Sequence, residues 1–174
     1  MKIYYDLSDS YGRGSLLSGA LNFSKSWYGL NFDIGYFQGH STFYYDIFIE
    51  DLGKTIKIQF DELSNLNVYS GSLLFIPIEK EWFTVGINCG MAVNCGTLSQ
   101  FNGVDYSYNL VENKFNYLYK DYKLVRKTHF GYQVGLDISF YVLPKIGLQL
   151  SSRVQDLNNG GTFFFVGGGL CFRL

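Results

Sequence analysis

Charge is scarce in this chain: charged residues make up 17% of the 174 residues, against roughly 25% in an average soluble protein. Lys+Arg 14 against Asp+Glu 15 leaves no basic excess to neutralise a phosphate backbone, so nucleic acid is not an expected partner. Proline is nearly absent, with 2 against 20 glycines, and the mean hydropathy of +0.02 excludes both a disordered chain and collagen. No apolar run approaches the roughly 18 to 20 residues of a membrane-spanning helix, so any crossing of a membrane must be made by strands. The Met1 to Asp9 segment lacks the apolar core of a secretory signal, because Asp6 and Asp9 interrupt it. The three cysteines give no metal-ligand spacing. Cys89 and Cys95, six residues apart on one expected strand, are separated by about 20 Å and cannot form a disulfide. Neither a metal nor a cofactor is expected.

What the chain has is aromatic residues, 19% of it, and a period of two. From Tyr28, Leu30, Phe32, Ile34 and Tyr36 alternate with Asn31, Asp33 and Gly35. From Thr128, Phe130, Tyr132, Val134, Leu136, Ile138 and Phe140 alternate with His129, Gly131, Gln133, Gly135, Asp137 and Ser139. The same pattern recurs around Leu17 to Phe23, Phe83 to Val93, Ile146 to Val154 and Phe164 to Leu174. A weaker segment from Val68 to Ile76 puts Leu74 and Ile76 on the polar parity. These are seven strands in a single domain over residues 1–174. Short turns near Ser26, Pro77 to Glu81 and Pro144 alternate with excursions from Gln38 to Asn67 and from Gly96 to Lys127 and a shorter one from Asp156 to Gly161. Both long excursions read as hairpins of their own, which predicts strands continuing as ribbons.

The apolar parity carries too many large side chains for the interior of a small barrel, while the opposite parity is Gly, Ser, Asn, Gln and Ala, which suits a narrow polar lumen. Asp33, Asp137, Arg153 and Arg173 share the polar parity, as expected of an internal charge network, since buried charges must be paired. Trp27, Tyr28, Trp82, Phe83, Phe140, Tyr141 and Phe172 cluster beside the short turns, with Tyr36, Tyr69 and Tyr132 toward the other rim, in the manner of two aromatic girdles. Tyr44, Tyr45, Tyr106, Tyr108, Tyr117 and Tyr119 stud the excursions and are candidates for surface recognition. The expected fold is therefore all-β, an antiparallel up-and-down transmembrane β-barrel with long extracellular hairpin ribbons.

Through this pattern and its closing segment Gly167 to Leu174, the chain resembles the small outer-membrane β-barrels of Gram-negative bacteria, such as OmpX, the OmpA membrane domain and the barrels common in Bacteroidetes. The resemblance implies a bacterial outer-membrane location, outer-membrane lipid as surroundings, and engagement of the assembly machinery by the last strand. Leu174 stands where that group ends in an aromatic, with Phe172 two residues earlier. Such barrels have an even number of strands with short periplasmic turns. Counting back from a periplasmic C-terminus starts the strand at Leu16 outside the cell, so an eighth strand and a signal peptide are expected upstream of Met1, or a short closing strand over Lys2 to Leu7.

Three activities remain open on the residues alone: a structural or surface-recognition protein without catalysis, a small porin-like channel, and a lipid-modifying enzyme, for which only His129, His40 and the adjacent Ser41 are available. A soluble ligand-carrying barrel would need the large apolar face turned inward.

Overall fold

The computed structural model describes residues 12–173. These form one antiparallel sheet of seven strands in sequential order: β1 (Arg13–Lys25), β2 (Tyr28–Ile49), β3 (Lys54–Glu79), β4 (Phe83–Asn109), β5 (Lys114–Leu143), β6 (Ile146–Leu157) and β7 (Gly161–Phe172). All seven expected strands are present, and each pairs with its sequence neighbour. The closing strand considered over Lys2 to Leu7 lies outside the described residues.

Three tight connections share one end of the sheet. At Ser26-Trp27 the chain reverses in two residues, with Lys25 opposite Tyr28 and Ser26 at a φ of 60°. Lys80 and Phe83 exchange backbone hydrogen bonds, and Pro144-Lys145 joins β5 to β6. Each turn is also tied to a neighbouring strand: the carbonyls of Trp27, Trp82 and Lys145 accept from the N–H groups of Ile76, Tyr141 and Arg173 at 2.8, 2.8 and 2.9 Å.

The middle strands outrun the others, with 22, 26, 27 and 30 residues in β2 to β5 against 12 or 13 in β1, β6 and β7. β2 and β3 stay in register up to Ile49 opposite Lys54, and β4 and β5 up to Asn109 opposite Lys114, so both excursions are ribbons, as their alternation predicts. At the first tip a 3-10 turn over Glu50–Leu52 ends at Gly53, whose φ of 58° suits glycine. The ribbons pack on one another through Ile47, Ile49, Ile58 and Phe60, against which Tyr45, Phe101, Tyr106, Tyr108, Phe115 and Leu118 are half-buried.

The sheet curls. Side chains of strands that are not neighbours meet across its concave face: Asp33 of β2 with Arg153 of β6, Ser70 of β3 with Gln133 of β5, Phe37 of β2 with Phe163 of β7. The small polar parity lines this face, and the large apolar parity lies on the convex side. Leu136 is 41% exposed while Gln133, of the opposite parity on the same strand, is fully buried, which is the reverse of what a soluble ligand-carrying barrel requires. Leu74 and Ile76, misfits of the alternation, are buried on the concave face near the tight turns. Room for Leu74 comes from Gly86 on β4, where a Cβ would sit only 3.0 Å from the leucine side chain. Among the described residues no strand pairs with the outer edges of β1 and β7.

Candidate functional site: the concave face and the ribbons

The polar residues of the concave face form a directed chain of hydrogen bonds. Asn94 Nδ2 donates to Gln155 Oε1 (3.2 Å), Gln155 Nε2 to Gln133 Oε1 (3.0 Å), Gln133 Nε2 to Ser70 Oγ (2.8 Å) and Ser70 Oγ to Asp33 Oδ2 (2.9 Å). Every link donates in the same direction and the last acceptor is a carboxylate, an arrangement in which successive bonds polarise one another. Arg153 Nη2 closes it, 2.8 Å from Asp33 Oδ1, with both side chains at least nine-tenths buried. The chain draws on β2, β3, β4, β5 and β6, so it fixes the curvature of the sheet as well as satisfying its polar groups.

Of the four charges expected inside, Asp33 and Arg153 therefore meet. Asp137 accepts instead from Asn88 Nδ2 at 2.9 Å, and Arg173 donates from Nη2 to Thr84 Oγ1 at 3.2 Å, its guanidinium 4.1 Å from the centre of the Tyr141 ring. Above the polar layer, toward the ribbons, the concave face is filled by Phe37, Leu66, Val68, Ala92, Leu98, Leu157 and Phe163, with Phe163 and Phe165 stacked at 5.7 Å. Phe163 and Phe165 are inward on sequence parity; Phe37 is not singled out by it, because the alternation of β2 is clearest only up to Tyr36.

The aromatic cluster beside the tight turns is a set of ring contacts: Trp27 with Tyr28 and Phe75, Trp82 with Phe83, Phe83 with Phe140. Phe172 is exposed on the same side. Tyr141 departs from the expected girdle: it shares the concave parity of Ser139, one residue past the convex Phe140, and serves Arg173. Of the six ribbon tyrosines, Tyr44, Tyr117 and Tyr119 are exposed, whereas Tyr45, Tyr106 and Tyr108 are spent on the contact between the ribbons.

His40 and Ser41 lie in β2 rather than in a loop, and as adjacent strand residues they face opposite sides: His40 is exposed and Ser41 buried. They cannot serve one site. His40 Nε2 is 3.2 Å from Asp61 Oδ1. His129 is buried, with Nδ1 3.3 Å from the Asn158 carbonyl.

Hydrogen bonds from Thr42 (2.9 Å) and then Gln59 (3.4 Å), with the charge of His40 beside them, hold the Asp61 carboxyl below its ordinary value of 3.8. A depressed carboxylate contributes to folding above its unfolded pKa, and that contribution is lost as pH falls through the folded one. Thr42→Val should therefore raise the Asp61 pKa toward 3.8, read by carboxyl-carbon NMR titration; an unchanged titration would show that Thr42 is not the dominant cause.

No protein-family model matches the chain, and no curated protein is significantly similar to it.

Proposed function

We propose that this chain is an integral membrane β-barrel of the bacterial outer membrane, with a structural or surface-recognition role and no catalysis, similar to the OmpX and OmpA-membrane-domain group. The observation that carries the reading is the convex face. Leu17 is 81% exposed and Met91 71%, and with Leu73, Phe130, Phe164, Val166 and Leu170 they belong to an apolar surface that runs from strand to strand. Monomeric soluble proteins rarely expose contiguous apolar patches beyond a few hundred Å². The surface is flanked at the turn end by Trp27, Tyr28, Trp82 and Phe140, and toward the ribbons by Tyr36, Tyr69 and Tyr132, all exposed. Aromatic bands of this kind suit the two membrane–water interfaces.

Closure belongs to the same reading. In an antiparallel sequential sheet β1 and β7 run in the same direction, so they cannot complete the antiparallel pattern by pairing with each other. One further strand between them would close an eight-stranded barrel. An open edge in lipid leaves N–H and C=O groups without partners, at several kcal/mol each. The packed Phe37, Leu66 and Phe163 layer favours a plugged interior over a conducting one, and the exposed Tyr44, Tyr117 and Tyr119 give the ribbons contact area for an extracellular ligand.

The test is site-specific spin labelling of the full chain in lipid vesicles, with Leu136→Cys and Gln133→Cys made in a background whose three cysteines are replaced by serine. The expected result is a label at 136 reached by dissolved oxygen and not by a water-soluble relaxant. A label at 136 accessible from water, or a protein that stays out of the vesicles, would overturn the membrane reading.

A further inference from the structure

Asp137 is a buried carboxylate of the concave face without a counter-ion among the described residues, as is Glu62 nearer the ribbons, whose Oε1 accepts the Phe101 N–H at 2.8 Å. Asp137 is 6% exposed, and among the described residues no Lys, Arg or His nitrogen lies within 4.0 Å of it. Its Oδ2 takes the Asn88 amide at 2.9 Å, while Oδ1 has no hydrogen-bond partner. Asn88, fully buried, likewise has its Oδ1 without a donor. Two adjacent side chains thus present two orphan oxygens. A buried charge left in this state costs several kcal/mol, and the other acid of the layer, Asp33, avoids the cost through Arg153. Arg173 does not serve Asp137: it is held by Thr84 and Tyr141, nearer the turns.

The surroundings provide more oxygen, and room on the β7 side. Ser151 stands opposite Asp137 on β6, with Ser139 two residues along the same face, while the gap at Gly86, opposite Asp137 on β4, is taken by Leu74. Gly167 faces Ser151 on β7, and a Cβ built on it would meet nothing within 4 Å. Gly135 lets the Asn88 amide lie against β5, since a Cβ there would come 2.6 Å from Asn88 Oδ1.

We propose that Asp137 and Asn88 form a binding site for a hard monovalent cation, with Asp137 Oδ1 and Asn88 Oδ1 as ligands and the hydroxyls of Ser139 and Ser151 beside them. All-oxygen donors select hard cations over zinc or copper, and a single carboxylate among neutral oxygens balances one positive charge rather than two. The ion would neutralise the interior at the level where no arginine does. The site requires only the curled sheet, so it stands or falls separately from the membrane reading.

Sodium is the probe, and the full chain folded in detergent micelles is the sample, its sheet content checked by circular dichroism. Saturable broadening of the sodium-23 NMR line is expected. Asp137→Asn should weaken the apparent affinity at least tenfold, Glu62→Gln should leave it unchanged, and Asn88→Asp, which adds a second carboxylate, should let calcium displace sodium. No saturable broadening, or the same broadening in Asp137→Asn, would overturn the proposal. So would an infrared carboxylic-acid band in the wild type that disappears in Asp137→Asn, because the carboxyl would then be neutralised by a proton.

Discussion

If the convex face meets lipid as proposed, Leu136→Arg should lower the stability of the protein in a bilayer by about 2–4 kcal/mol, the cost of a cationic side chain at the membrane midplane. Leu136 is the sharpest position for this test because it lies four residues from Tyr132 and four from Phe140, midway between the two aromatic bands on one strand. Its side chain stands on the convex face, where it is 41% exposed. The same substitution at Tyr132, whose hydroxyl already bonds Asp156 at 2.7 Å near the upper rim, should cost about 0–1 kcal/mol in lipid transfer beyond the lost hydrogen bond, since the penalty falls toward the interface. Urea titration of the refolded protein in vesicles reads both values. If the convex face met water instead, arginine at 136 would be a surface substitution within about 0.5 kcal/mol of neutral. A depth-independent result would therefore remove the membrane reading, whereas a graded one would be hard to explain by any soluble fold.

The convex face was legible because strand side chains alternate with a period of two, so a parity error would move a whole strand's apolar set to the other side. Six uninterrupted alternations from Phe130 to Phe140 leave no choice of face for β5, and the structure follows them. The same rule explains the ribbons: Tyr45 and Ile47 across from Ile58 and Ile56 continue the pairing of β2 and β3 without a break. Parity does not specify what lies across the cavity. Gln133 and Ser70 are 63 residues apart, and Asn94 and Gln155 are 61 apart. Their meeting depends on how the sheet curls and how far each strand is offset from the next, quantities set by all six registers together. For this reason four charges could be assigned to one face while only Asp33 and Arg153 proved to be partners. Tyr45, Tyr106 and Tyr108 were obscure for a related cause. A ribbon has two faces of similar composition, and only the packing of one ribbon on the other decides which tyrosines are covered.

The second large effect is expected at that pair. Arg153→Met should destabilise the protein by about 3–5 kcal/mol, because Asp33 would remain buried with its charge opposed only by the hydroxyl of Ser70. Asp33→Asn should cost a similar amount by stranding Arg153, whose Nε has no hydrogen-bond partner even in the intact pair. The two together should cost much less than their sum, since replacing both ions of a buried pair is often close to neutral. A coupling of about 3 kcal/mol between them, measured by urea unfolding as a double-mutant cycle, would establish the pair as the terminus of the Asn94 to Ser70 chain. Additive losses would mean that each ion is solvated separately, by water entering the cavity, and the plugged interior would no longer be tenable. The sign of that coupling also bears on function: a dry, paired interior leaves the ribbons as the part of the molecule able to meet a partner, while a wet one would restore the porin-like channel as the leading alternative.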